Sequence, residues 1–197
     1  MKHFKAGLVI ALAWLFFSVQ SLAATFVYVS NNEDGDIGVY TLRADGSLQP
    51  GARVPAAGKV VMPMTVSPDK RVLIAAVRSK PFSEHTYSIY RATGALQSVG
   101  TGPLHESFPY ITFDRSGRFL LGASYGAHLV SVNPVGADGR VGEPMQVIPT
   151  ARNAHAIITD NTTRFVFVPH LAPTRSSSSC STPRRAGSPP TRRPWCR

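Results

Sequence analysis

A run of β-forming residues recurs along the chain at an almost constant spacing. Successive runs are separated by 46, 47 and 46 residues, and they begin at Phe26, Val72, Phe119 and Phe165. The last three follow turn-forming segments that end in arginine, which are 67–71, 114–118 and 160–164. A fixed period of this length is typical of repeat architectures, in which each repeat is one supersecondary unit. The chain is therefore expected to fold as a series of similar units.

Each period contains the same parts in the same order. A second apolar run follows the first, and then come a glycine turn with a short outer strand, a link and an inner strand. Two of the turns, Asp45-Gly46 and Asp138-Gly139, are strong hairpin signals between β-formers. The third outer strand is expected within 138–141. Four short strands per period predict an all-β chain of β-propeller blades, and a β-sandwich with regularly spaced strands is the alternative.

The first 23 residues have the features of a secretory signal. Lys2 and Lys5 precede an apolar run over 6–19, and Ser21-Leu22-Ala23 offers small residues at a cleavage site. A membrane anchor is the alternative, but the run is shorter than the roughly 20 residues that a span needs. We expect cleavage after Ala23 and a mature protein that is periplasmic or secreted, without membrane contact.

The repeat pattern stops at Thr174, and 174–197 is rich in Ser, Pro and Arg. One interpretation is a disordered basic tail that binds nucleic acid or membrane. The other is a shifted reading frame, because codons for 174–183 can be chosen so that the neighbouring frame encodes Asp-Gln-Ile-Phe-Gln-Phe-Leu-Phe-Asp-Ala. That stretch alternates apolar and polar residues where the fourth repeat needs its second strand. We expect a frameshifted, disordered tail.

The net charge of +10 is concentrated at the two ends of the chain. The first 23 residues hold two of the 21 basic residues and the tail holds six, which leaves 13 basic and 11 acidic residues in 24–173, a net +2. This near balance argues against a nucleic-acid partner. Both cysteines, Cys180 and Cys196, lie in the tail, so the body offers no disulfide or cysteine metal site. No cofactor or metal is expected.

Three segments follow from these patterns: a signal over 1–23, a partial propeller over 24–173 and the tail over 174–197. At one blade per period, the body accounts for just over three blades. Propellers usually close with four to eight, and an unclosed set leaves sheet faces and strand edges exposed. We therefore expect the chain as written to be marginal in stability.

Several segments of the body resemble a known family. They are 62–71, Val77-Arg78, 123–126 and 130–132. They are similar to the bacterial 6-phosphogluconolactonases of the seven-bladed propeller type, whose relatives include the carboxy-muconate lactonising enzymes. The resemblance covers 25 to about 171, the N-terminal half of such a protein, and implies three to four of seven blades. It implies a hydrolase that opens a sugar-acid lactone in glucose metabolism, whereas an exported relative would act on an unphosphorylated lactone.

His155 is the first candidate for catalysis. Pro63 and Pro109 are 46 residues apart, and His155 follows Pro109 by another 46, so it occupies the proline position that opens the inner strand. Inner strands line the channel of a propeller, and the resemblance implies a catalytic histidine here. The alternative is a structural histidine that bonds the backbone of the next blade.

Two further residues are candidates for substrate binding. Arg78 ends a strand and has the fork geometry that holds carboxylate or phosphate, although it is equally compatible with a solvated charge. Tyr125 offers a hydroxyl in the same channel or packs between blades. His105 and Glu106, in a loop before Pro109 that could face the mouth, and His170, which follows Pro169 at a strand end, are weaker candidates.

The family pattern continues with a Gly-Pro-Arg-His segment and a glutamate that have no counterpart in this chain. We therefore expect a lactonase-type hydrolase with little or no activity in this form. The alternative functions are a non-catalytic periplasmic propeller that binds a ligand or protein, and a binding module that acts through its basic tail.

Overall fold

The computed structural model describes residues 24–56 and 58–171, together with the backbone of one further strand at 177–180. The described chain is built from β-strands joined by turns. In chain order they are β1 (Thr25–Asn31), β2 (Asp36–Leu42), β3 (Leu48–Pro55), β4 (Val61–Val66), β5 (Val72–Val77), β6 (Ser83–Ile89), β7 (Leu96–Pro103), β8 (Tyr110–Phe113), β9 (Phe119–Ser124), β10 (Leu129–Pro134), β11 (Gln146–Pro149), β12 (Ile158–Thr159), β13 (Phe165–Val168) and β14 (Ser177–Cys180).

The strands form four antiparallel sheets that follow one another along the chain. The sheets β4-β5-β6-β7 and β8-β9-β10-β11 each have four strands in meander order. The flanking sheets, β1-β2-β3 and β12-β13-β14, have three strands each. These blade-like sheets confirm the prediction of an all-β propeller with three to four blades. Within the described ranges, no helix is long and apolar enough to cross a membrane.

A repeated turn precedes the second strand of the last three sheets, which are β5, β9 and β13. Asp114 Oδ1 accepts the main-chain N–H groups of Arg118 and Phe119, both at 3.0 Å. Asp160 Oδ1 accepts the equivalent pair at 2.9 and 3.0 Å. Ser67 Oγ takes this role one blade earlier, accepting from the next strand's first residue at 3.0 Å. Each side chain thereby closes a turn and fixes the strand's first residue, which explains the recurring sequence pattern.

The apolar core is divided into three layers, one between each pair of neighbouring sheets. Successive residues of β5 point to opposite faces, so Leu73 and Ala75 pack toward the first sheet, whereas Ile74 and Ala76 pack toward the third. The layer between the third and fourth sheets contains Leu121 and other buried side chains. A central strand that is buried on both faces explains why β5 is apolar throughout.

The third outer strand is where the sequence prediction is wrong. The predicted turn at Asp138-Gly139 is present and Val141 forms an isolated bridge with Val135, but the outer strand begins later, at Gln146. Gly136 N–H donates to Arg140 O at 2.9 Å, and Gly142 N–H donates to Pro134 O at 2.9 Å. The loop also packs on the preceding blade, where the Thr86 hydroxyl contacts Gly139 O at 3.3 Å. The pairing here is a single bridge, and the strand that pairs along β10 starts at Gln146.

Two predicted segments lie largely outside the described residues. The expected signal over 1–23 is one of them, and so is most of the tail over 174–197. Within the tail, β14 pairs antiparallel with β13, with Val166 opposite Ser179. The expected disorder of the rest of the tail concerns residues outside those described.

Candidate functional site

Arg78 and Tyr125 occupy equivalent positions in two successive blades. Each is the first residue after the second strand of its sheet, β5 or β9, and the two are 47 residues apart. Because the blades repeat, both residues lie at the same edge of their sheets. The links that lead into the inner strands β8 and β12 reach this edge as well. The equivalence of position therefore brings both sequence-predicted binding residues to one place.

An open pocket of about 420 Å³ lies between these two blades. Arg78 and Tyr125, the two residues singled out for substrate binding, both line it. Its lining is completed by residues of the β7–β8 link, the end of β9 and the β9–β10 loop: Glu106, Ser107, Pro109, Ser124, Gly126 and Ala127. The pocket combines a cation, a carboxyl group and hydroxyl groups.

The guanidinium group of Arg78 is held from one side. The Nε–H of this group donates to Ser107 Oγ at 2.9 Å. The main-chain N–H of Arg78 donates to Val60 O at 3.0 Å. Ser107 is in turn tied to the pocket rim, since its N–H donates to the Glu106 carboxylate at 3.0 Å. No described residue bonds the two terminal nitrogens of Arg78. These nitrogens can therefore donate to a bound oxygen or anion in fork geometry.

His155 lies beside Tyr125. Their rings meet edge to face, with centroids 5.8 Å apart and planes at 89°. His155 is exposed, and none of the described residues hydrogen-bonds its imidazole. The imidazole is thus accessible at the mouth, although His155 is not among the residues that line the pocket itself.

The position of His155 relative to the inner strand β12 differs from the prediction. The inner strand β12 contains only Ile158 and Thr159, so His155 precedes it by three residues and does not open it. The main-chain N–H of His155 donates to Pro169 O at 3.0 Å, and Ala154 forms an isolated bridge with His170. These bonds attach the segment to the chain that follows β13. Pro63, by contrast, lies inside β4.

Two residues that the sequence did not single out, Asn153 and His128, form a hydrogen-bonded chain that ends at Tyr125. Asn153 Nδ2 donates to Tyr125 Oη at 3.0 Å, and Asn153 N–H donates to His128 Nδ1 at 3.0 Å. His128 O also accepts from Thr150 N–H at 2.8 Å. Only tertiary structure brings 128 and 153 together, so no local pattern could have revealed them.

The three weaker candidates, Glu106, His105 and His170, differ in where they lie relative to the pocket. Glu106 lines the pocket, whereas His105 is exposed and does not line it. His170 Nδ1 lies 3.0 Å from Arg152 O, so this ring is engaged with the neighbouring loop. Across the described part of the chain, no group of three or more His, Cys, Asp or Glu is placed to hold a metal ion.

Comparison with known proteins places this geometry in a family. The family model described as "Lactonase, 7-bladed beta-propeller" matches residues 27–173, which contain every residue of the pocket. The chain belongs to this lactonase family.

Two curated relatives illustrate the similarity. This chain is 39% identical over 145 residues to a 6-phosphogluconolactonase of Pectobacterium carotovorum, and these residues are 74% of this chain and 43% of the relative. A 6-phosphogluconolactonase of Erwinia tasmaniensis matches with the same identity and coverage. The chain thus spans less than half the length of the curated relatives it matches.

Solved structures share the lactonase fold. The periplasmic gluconolactonase PpgL of Pseudomonas aeruginosa superposes with a TM-score of 0.67 at 22% identity, covering 79% of this chain and 49% of that one. A protein from Lactobacillus plantarum superposes with a TM-score of 0.70 at 19% identity, covering 80% and 48%. At these identities the likeness concerns the fold.

Proposed function

We propose that this pocket binds a sugar-acid lactone and contributes to the site at which the complete propeller opens it by hydrolysis. The observation that carries the proposal is the convergence of three groups at one mouth: the free nitrogens of Arg78, the Tyr125 hydroxyl and the exposed His155 imidazole. Lactone hydrolysis needs a base to activate water and donors to stabilise the developing oxyanion. These groups supply both requirements.

His155 is the candidate base in this scheme. A neutral imidazole can take a proton from water as its oxygen attacks the lactone carbonyl. Tyr125 and Arg78 are then the candidate donors to the carbonyl oxygen, which gains negative charge in the transition state. The proton passes finally to the ring oxygen that leaves, and the product is the open hydroxy acid.

The substrate class follows from the relatives and from Arg78. The curated relatives are named 6-phosphogluconolactonase, so a phosphorylated sugar lactone is the first choice. The terminal nitrogens of Arg78 suit a phosphate group. The signal-like residues 1–23 instead favour an exported protein, periplasmic or secreted, that acts on an unphosphorylated aldonolactone. We propose the sugar-acid lactone as the common class.

Binding is the primary test, because we expect turnover by this chain to be weak. Isothermal titration with D-glucono-1,5-lactam, a lactone analogue that resists hydrolysis, should give a saturable signal. Arg78→Ala and His155→Ala should each weaken it. Arg91→Ala is the matched control, since this exposed arginine is bonded to Asp69 O in a turn at the opposite edge.

Hydrolysis itself is measured as the release of acid from gluconolactone and from 6-phosphogluconolactone. We expect rates close to those in buffer alone for this chain. Turnover well above the buffer rate would contradict the expectation of an inactive form, and its loss in His155→Ala would assign the base. Absence of lactam binding would contradict the proposed function and favour a propeller that binds another ligand.

A further inference from the structure

Asn153 has three hydrogen bonds that together fix its side chain at the edge of the pocket. Its main-chain N–H donates to His128 Nδ1 at 3.0 Å, and its carbonyl accepts from Leu171 N–H at 3.1 Å. Its side-chain Nδ2 donates to Tyr125 Oη at 3.0 Å. The backbone is therefore held from both sides while the amide points at the tyrosine hydroxyl.

The backbone conformation explains why asparagine suits this position. Asn153 has a φ of +61°, in the left-handed region that most side chains avoid. Asparagine is several-fold enriched there, because its short polar side chain tolerates the conformation. His128, its hydrogen-bond acceptor, also has a positive φ, +57°. Two residues in this uncommon conformation thus face each other across the β9–β10 loop and the link into β12.

The direction of the bond to Tyr125 determines what that hydroxyl can do. A phenolic hydroxyl has one proton to donate and lone pairs that accept. Asn153 occupies an acceptor position, and no described residue accepts the hydroxyl proton. The proton is therefore left for a group in the pocket, beside the ring of His155.

We infer that Asn153 is a positioning residue, which holds the Tyr125 hydroxyl as a hydrogen-bond donor to a ligand oxygen in the pocket. The inference rests on the proposed function in one respect, namely that the ligand oxygen is the carbonyl of a sugar-acid lactone. The Asn153 amide also polarises the hydroxyl, because donation to a phenolic oxygen strengthens the bond that this oxygen donates. Asn153 itself does not touch the ligand.

Two substitutions of Asn153 distinguish the role of its side-chain amide from that of its backbone conformation. Asn153→Gly removes the amide and keeps a residue that adopts positive φ without strain. Asn153→Asp keeps the shape but replaces the donor with an acceptor, so Tyr125 would donate to the carboxylate instead of the ligand. Asn161→Gly is the control, since Asn161 lies in an exposed turn in contact with Arg115.

The first readout does not depend on any ligand. The protein is labelled with 3-fluorotyrosine, and the resonance of Tyr125 among the six tyrosines is assigned from Tyr125→Phe. Asn153→Gly and Asn153→Asp should both shift the ¹⁹F resonance of Tyr125 and leave the other resonances in place. An unchanged Tyr125 resonance in both variants would overturn the inference.

The second readout is the dissociation constant of D-glucono-1,5-lactam. Loss of one well-oriented hydrogen bond should weaken binding about tenfold in Asn153→Gly and at least as much in Asn153→Asp. In the Tyr125→Phe background, Asn153→Gly should have no further effect. Equal effects in both backgrounds would assign Asn153 a role independent of Tyr125 and overturn the inference. If the wild-type chain binds no lactam, the proposed function fails, while the fluorine readout still decides whether Asn153 orients Tyr125.

Discussion

The rings of Tyr125 and His155 meet edge to face across two blades, with centroids 5.8 Å apart. Tyr125 follows β9 of the third sheet, and His155 precedes β12 of the fourth. The contact therefore couples the pocket wall to the candidate base, and the position of one ring depends on the other. An aromatic pair of this kind contributes about 0.5–1.5 kcal/mol beyond its buried area.

The ring contact predicts how His155 responds to changes at Tyr125. Tyr125→Phe keeps the ring and should leave the side-chain NMR signals of His155 close to those of the wild type. Tyr125→Leu removes the ring and should shift these signals. The measurement is a ¹H–¹⁵N spectrum of the imidazole groups, with His105 as an exposed reference. Equal shifts in both variants would show that the hydroxyl, rather than the ring, holds His155.

Arg78 depends on Ser107 for its orientation. Ser107→Ala removes the acceptor of the Arg78 Nε–H bond, 2.9 Å long, and should weaken binding of a phosphorylated lactam by several-fold. Arg78→Lys should weaken it more, because a lysine cannot replace the planar fork. Titration calorimetry measures both effects. If Arg78→Lys binds as tightly as the wild type, Arg78 acts as a simple charge and its fork geometry is irrelevant.

Gly122 connects the packing of β9 to the pocket. A Cβ at this position would lie 2.9 Å from Phe108 Cγ, and Phe108 is fully buried next to the pocket residue Pro109. Gly122→Ala should therefore displace the ring and lower the free energy of unfolding by about 1–3 kcal/mol. Gly126→Ala is the control, because a Cβ there meets no atom within 4 Å. Denaturant titration should separate the two variants, and equal stabilities would contradict the packing argument.

Glu84 should make the stability of the protein depend on pH. It is fully buried on β6, and burial raises the pKa of its carboxyl group to about 7, although the Thr86 hydroxyl partly offsets this. Between pH 4.5, the ordinary pKa, and about 7, the folded protein keeps a proton that the unfolded chain releases. The contribution of Glu84 to the free energy of unfolding is thus fully present below pH 4.5 and is lost as the pH rises through about 7.

The Glu84→Gln variant tests this dependence. Glutamine has the shape of the protonated acid and does not ionise, so it should remove the loss of stability at high pH. The full effect corresponds to roughly 3 kcal/mol at pH 8. Thermal unfolding at pH 5 and pH 8 measures it for both proteins. An identical pH dependence in the two proteins would show that a group other than Glu84 causes it.

The repeated turn predicts a graded effect on stability. Asp114→Ala removes the acceptor of two partly buried main-chain N–H groups at a residue only 3% exposed, and should cost roughly 2–3 kcal/mol. Asp160→Ala removes the same bonds at a more exposed turn in the last sheet and should cost less. Denaturant titration of the two variants gives the comparison. A larger loss at Asp160 would contradict burial as the cause of the difference.

The strands of the repeat could be predicted from the sequence because each depends on local chemistry. Phe119 begins a strand both in the prediction and in the structure, since β-forming residues follow a turn that Asp114 closes. The third outer strand could not be placed, because Asp138-Gly139 signals a hairpin regardless of where the next strand pairs. Its delayed start reflects packing of that loop against Thr86 in another blade.

The candidate site was also predictable only in part, because contacts between blades do not follow from the repeat. Equivalent positions in a repeat lie at the same edge, so Arg78 and Tyr125 could be expected to share a pocket. The partners that orient them come from links between blades. Ser107 and Asn153 occupy such links, and their contacts depend on how the sheets pack rather than on spacing in the chain.

The central claim is that the pocket between Arg78 and Tyr125 receives a sugar-acid lactone beside His155. The most direct measurement is a crystal structure of the chain with D-glucono-1,5-lactam. The account predicts the lactam in this pocket, with its carbonyl oxygen accepting from Tyr125 Oη and its ring within reach of the His155 imidazole. A lactam bound at another place on the molecule, or an empty pocket at a saturating concentration, would contradict it.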